Sequence, residues 1–168
     1  MKTKFFASAI AMICLSASAI AQSTATASTT AELVAPISIT RGTDMNFGIV
    51  AASSTPGTVE LDYFNGRTAF DGVSLPAGSI TQRTAEFAVT GEFNNGFSIA
   101  LPTSAITLSG SVAGTLTVSD FDSDLAASVF LNDCSQTIMV KAILNVTANA
   151  VAGTYSNASD LFVTVNYN

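Results

Sequence analysis

The chain has 168 residues, 48% hydrophobic and only 8% aromatic, with twelve acidic and six basic side chains, a net charge of −6, and neither histidine nor tryptophan. Without histidine, Ser-His-Asp and Cys-His catalysis are excluded, and so are the usual zinc and copper ligands. The acidic balance removes the clustered Lys and Arg on which binding to nucleic acid or to an anionic membrane surface depends.

Met1 to Ala21 reads as a secretory signal peptide. Lys2 and Lys4 supply the positive start, Phe5 to Leu15 the apolar stretch, and Ala19-Ile20-Ala21 a small-x-small cleavage site. The apolar run is too short to span a bilayer, and nothing later in the chain approaches that length. A lipoprotein needs a small residue directly before Cys14, and Ile13 stands there. Removing 21 of the 168 residues leaves 147, the size of one domain. It retains four basic and twelve acidic side chains, a net charge of −8. Cys134 is then the sole cysteine, so no internal disulfide forms. It reads as an incidental thiol in the turn Asn132-Asp133-Cys134, with an intersubunit disulfide as the sharper alternative.

Residues 22–30 contain no bulky apolar side chain. They read either as a disordered tail or as an extended arm. In the second case Ala25, Ala27, Thr29, Ala31 and Leu33 share one face at period two, the pattern of a strand that adds to another subunit's sheet edge. Residues 31–168 read as one β-sandwich domain. Short alternating runs punctuated by Gly, Asn, Asp and Pro predict strands over Ala31–Ile39, Asn46–Val50, Thr58–Asp62, Ala85–Thr90, Phe97–Leu101, Ala105–Ser109, Thr115–Phe121, Thr137–Val146 and Leu161–Tyr167. Such spacing indicates an all-β antiparallel sandwich or barrel. Asn94-Asn95-Gly96 between two alternating runs predicts a hairpin joining Glu86–Thr90 to Phe97–Leu101. In the last run Leu161, Val163, Val165 and Tyr167 face one way, and Phe162, Thr164, Asn166 and Asn168 the other.

Candidate chemistry is sparse. No phosphate-binding Gly-rich loop or dinucleotide fingerprint is present, and nothing in the sequence calls for a cofactor. Asp120, Asp122 and Asp124 offer clustered oxygens of the kind calcium takes, but Leu125 and Leu131 stand where an EF-hand needs Gly and Glu, so an acidic strand end is the expectation. Lys141 lies within an apolar strand run and is expected at an outward or edge position that discourages aggregation. Asn145-Val146-Thr147 and Asn157-Ala158-Ser159 match the glycosylation triplet by chance. The chain is not expected to be an enzyme.

Several blocks carry a family resemblance. They are Ile37-Ser38-Ile39-Thr40, Met45-Asn46-Phe47-Gly48, Phe87 to Glu92, Ser98 to Pro102, Thr117 to Phe121, Leu144-Asn145-Val146, Gly153-Thr154-Tyr155 and Val163 to Asn168. Together they resemble the bacterial secreted domain of unknown function 4402. The Gly-Thr-Tyr and Val-Thr-Val-x-Tyr ending is also similar to spore coat protein U-type and chaperone–usher pilin subunits. That resemblance implies an immunoglobulin-like antiparallel β-sandwich, pilin-like and lacking its final strand. A sandwich complete within one chain is the alternative. Leu161, Val163, Val165 and Tyr167 would then form the terminal strand beside the gap, and Ala25 to Leu33 the donor arm. The expected function is a secreted fimbrial or surface-coat subunit that self-associates by strand exchange, with a periplasmic chaperone and an outer-membrane usher as further partners. A monomeric adhesin-like binding module is the alternative.

Overall fold

A computed structural model describes residues 22–158 and 161–168, all of them strand, turn or irregular, with no helix. The signal-peptide expectation for Met1–Ala21 lies outside the described residues. Residues 33–168 form one compact unit. Residues 22–32, which precede it, are exposed and pair with no strand.

Eleven strands follow in order: β1 (Ser38–Thr43), β2 (Ala51–Leu61), β3 (Arg67–Ser74), β4 (Ala85–Thr90), β5 (Gly96–Ala100), β6 (Ile106–Gly110), β7 (Thr115–Ser123), β8 (Ser128–Phe130), β9 (Ser135–Val146), β10 (Tyr155–Ser156) and β11 (Thr164–Tyr167). The larger, eight-stranded sheet runs β1-β4-β9-β7-β6-β10, with β2 pairing β3 and β9; the smaller runs β11-β5-β8. Every pairing is antiparallel. The order β1-β4-β9-β7 corresponds to strands A, B, E and D of the immunoglobulin sandwich, and β5 and β11 to C and F. Beside β11, where strand G would lie, no described strand pairs. The expected immunoglobulin-like antiparallel sandwich is therefore the fold.

The hydrophobic pattern explains the layering. β9 alternates along its whole length, burying Ile138, Val140, Ala142, Leu144 and Val146 on one face. Its first half pairs with β4 and its second with β2, while β7 lies along the opposite edge. One strand thus serves two clusters. In the first, Phe87, Val89, Ile138 and Val140 of the large sheet meet Phe97, Val163 and Val165 of the small sheet, with Leu131. The second gathers Val59, Leu61, Leu116, Val118 and Leu144 under Phe47. Phe47 is held in place by its neighbours. Gly48 has a positive φ of 69° and donates its N–H to Asn46 Oδ1 at 2.7 Å. Arg67 donates to the carbonyls of Phe47 at 2.6 Å and Ile49 at 2.9 Å. A Cβ on Gly48 would sit 2.9 Å from the Arg67 guanidinium.

Several expectations need correction. β4 and β5 do not form a hairpin: β4 pairs with β1 and β9, β5 with β11 and β8. The Asn94-Asn95-Gly96 turn is instead an arch between the two sheets, with Asn94 at a φ of 59° and its N–H donated to Leu131 O at 2.7 Å. Residues 31–37 carry no strand, so the first predicted strand begins only at Ser38. Within the predicted strand Asn46–Val50 there is a single bridge, Asn46 to Arg83. Strands β3, β8 and β10 were not foreseen. Lys141 points outward as expected, but on β9, an interior strand paired on both sides, and not at an edge.

Candidate functional site

The most distinctive locus is the unpaired edge of β11. Antiparallel pairing with β5 places Thr164 opposite Ala100, Val165 opposite Ile99, Asn166 opposite Ser98 and Tyr167 opposite Phe97. Asn168 donates its N–H to Gly96 O at 3.0 Å, which marks the even-numbered residues as those bonded to β5. The main-chain groups of Val165 and Tyr167 therefore face the open side. Their side chains turn inward as the alternation requires: Val163 and Val165 are 9% and 8% exposed. Leu161 and Tyr167 are half-buried against the same cluster. Of the residues expected at an assembly site, these four lie together.

The expected arm residues stand apart from any sheet. Ala25, Ala27, Thr29 and Ala31 are exposed and unpaired, and Leu33 is fully exposed. Ala35 is held by a ring of three hydrogen bonds. Ala35 donates its N–H to the Glu92 carboxylate at 3.0 Å. Glu92 donates its N–H to Tyr167 Oη at 2.6 Å. Tyr167 Oη donates to Ala35 O at 2.9 Å. The ring ties the root of the arm to the terminal strand. Gly91 leaves room for it, since a Cβ there would run into the Tyr167 hydroxyl. Glu92 escaped notice as a site residue because its partners lie 57 and 75 positions away in sequence. Its only sequence signal is its place in the Val-Thr-Gly-Glu block.

The three aspartates sit at and beyond the end of β7, and each has a local task. Asp122 accepts from Tyr63 Oη at 2.8 Å and pairs with Lys141 Nζ at 3.6 Å. Lys141 Nζ also stands 5.3 Å from the Tyr63 ring centroid. Burial, then the hydrogen bond to Asp122 and the charges of Asp122 and Asp124, push the Tyr63 phenol up to about 12. Asp124 accepts the Met139 N–H at 2.7 Å, and Asp120, at a φ of 56°, accepts from Ser119 Oγ at 2.8 Å. Among the described residues, no group of three acidic or cysteine side chains is placed to hold a metal ion. These aspartates rim an open groove of about 790 Å³ whose other walls include Ile99, Leu101, Phe121 and Leu125.

Asn145 is no free glycosylation acceptor. Its amide donates to Thr117 O at 3.4 Å and to Ser119 Oγ at 2.9 Å across the sheet. Cys134 is an exposed free thiol at a φ of 56° in the turn before β9. No described helix is long and apolar enough to cross a membrane.

The blocks quoted from the sequence are thus largely structural: Asn46-Phe47-Gly48 seats a core phenylalanine, and Tyr155 pairs with Gly110 and donates its hydroxyl to Val151 O at 2.6 Å. Comparison with curated proteins and with solved structures finds no match. A family model described as a domain of unknown function, DUF4402, matches residues 37–167, and the chain belongs to that family.

Proposed function

We propose that the protein is a non-enzymatic structural subunit that joins copies of itself, or related subunits, by β-strand exchange into a fimbria or surface coat. The observation that carries this reading is the open edge of β11, a strand built into the core whose outer main-chain groups have no strand partner among the described residues. An unpaired edge of this kind is a template for another chain's strand. The arm supplies a matching element: residues 22–31 are uncharged and belong to no sheet. The similarity of the chain's ending to spore coat and pilin subunits points the same way, and brings export by signal peptide, a periplasmic chaperone and an outer-membrane usher into the proposal.

Deleting Gln22–Ala31 should leave a folded monomer that forms no larger species by light scattering. A truncated protein that still assembles fully would refute the donor-arm reading. The groove between the β5–β6 connection and the end of β7 favours a second reading, a monomeric adhesin-like binding module. A clean monomer that unfolds and refolds reversibly would select it.

A further inference from the structure

We infer that the arm of one copy is held on β11 of the next by its main chain, without side chains that plug the core; this rests on the strand-exchange reading above. The acceptor is already full. Val163 and Val165 are more than nine-tenths buried although no described strand pairs with the open side of β11, and Phe97, Leu131 and Ile138 in the same cluster are wholly buried. The Tyr167 hydroxyl is engaged by Glu92 and Ala35. The groove rimmed by the three aspartates is not lined by β11. A donor with bulky apolar residues would have to displace this packing.

The arm has the complementary character. From Ser23 to Ala31 no side chain is larger than threonine. Small residues lie over a closed edge without displacing its packing, and the β-branched threonines suit an extended backbone. The absence of charge lets this segment approach a strongly acidic body without repulsion. What remains to hold it are the outward main-chain groups of Val165 and Tyr167, which bond any extended partner.

The occupant is the arm of a second copy. β1 begins beside the Tyr167 end of β11, where Gly91 neighbours both Ile37 and Tyr167. A copy's own arm would reach its own edge only by reversing at residues 33–36. There Pro36 keeps Ala35 extended, and the ring of hydrogen bonds holds Ala35 in place.

The test compares two sets of arm substitutions in the chain Gln22–Asn168, with association measured by sedimentation. Ala27→Pro with Thr29→Pro removes two main-chain donors and should weaken association by about tenfold or more. Ala25→Ser, Ala27→Ser and Ala31→Ser together change side chains and spare the main chain; they should stay within about threefold of the parent. If the serine triple weakens association as much as the prolines do, side chains carry the contact and the inference fails while strand exchange stands. If the prolines are harmless although deleting Gln22–Ala31 abolishes assembly, the inference also fails and the arm acts otherwise. If the parent chain stays monomeric at every concentration, the strand-exchange reading fails and takes the inference with it.

Discussion

At the residue scale, two tyrosines report on different parts of the molecule. Tyr63 belongs to a surface constellation with Asp122 and Lys141, and its phenol is pushed up to about 12, first by burial and then by the carboxylate. The folded state therefore keeps a proton that the unfolded chain releases near the ordinary tyrosine value of 10.0. The stability this contributes is intact below pH 10 and is lost as pH rises toward 12. A tyrosinate absorbance titration should show a late phase belonging to Tyr63. Asp122→Asn should lower that value only part of the way, because burial remains. A titration in which Asp122→Asn leaves the late phase unmoved would remove the carboxylate from the account. Tyr167 instead closes the ring with Ala35 and Glu92. Tyr167→Phe deletes one donor and one acceptor there and should cost about 1–3 kcal/mol in urea unfolding. It should also loosen Leu33–Pro36, seen as faster amide exchange at Ala35.

At the element scale, β9 dominates. Leu144→Ala opens a cavity beneath the larger sheet and should cost about 2–5 kcal/mol in unfolding free energy, measured by denaturant titration. At exposed Thr164, by contrast, Thr164→Ala should change stability by less than about 0.5 kcal/mol. β4 and β9 were legible from the sequence because one face is apolar without interruption; in β7 the alternation ends after Val118, where Asp120 takes a φ of 56° at a register break, and the last strand, expected from Leu161, is paired only over Thr164–Tyr167. β2 and β3 were harder. Ala51 to Gly57 is small and polar, with no alternation to read, and Gly57 lies within a register break between β2 and β3. A Cβ there would meet Phe70 O at 2.6 Å, so the glycine is demanded by a neighbour some 13 positions away. The Asn-Asn-Gly signal identified a turn correctly but could not distinguish a hairpin from an arch. That choice depends on which strands take the edges of β4 and β5, a tertiary matter.

At the scale of the whole molecule, charge and topology act together. From Gln22 onward four cations face twelve carboxylates. Arg41 pairs with Asp44, Lys141 with Asp122, and Arg67 is turned onto two carbonyls. On the proposed strand exchange, copies joined by the uncharged arm would still repel through their acidic bodies. Raising sodium chloride from about 10 mM to about 150 mM shortens the screening length from about 30 Å to about 8 Å and should strengthen association in sedimentation runs. Weaker association at the higher salt would mean that opposite charges meet at the contact. The terminal strand's inward face could be read from its period of two. Its open side was expected only from the resemblance to pilin subunits, because an unpaired edge is a property of the assembled sheet and not of the strand's own pattern.

β9 also sets the timing of folding. It lies late in the chain, yet it is the strand against which β2, β4 and β7 close. Its contacts join Gly57 to Val146 and Ala85 to Val140, separations of 89 and 55 residues. The earlier strands have no central partner until residue 146 is available, so a growing or threading chain stays open to the last. Pairings this distant are slow, and refolding from urea should proceed in the range of milliseconds to seconds. A chain that waits so long with apolar strands exposed needs protection until β9 arrives.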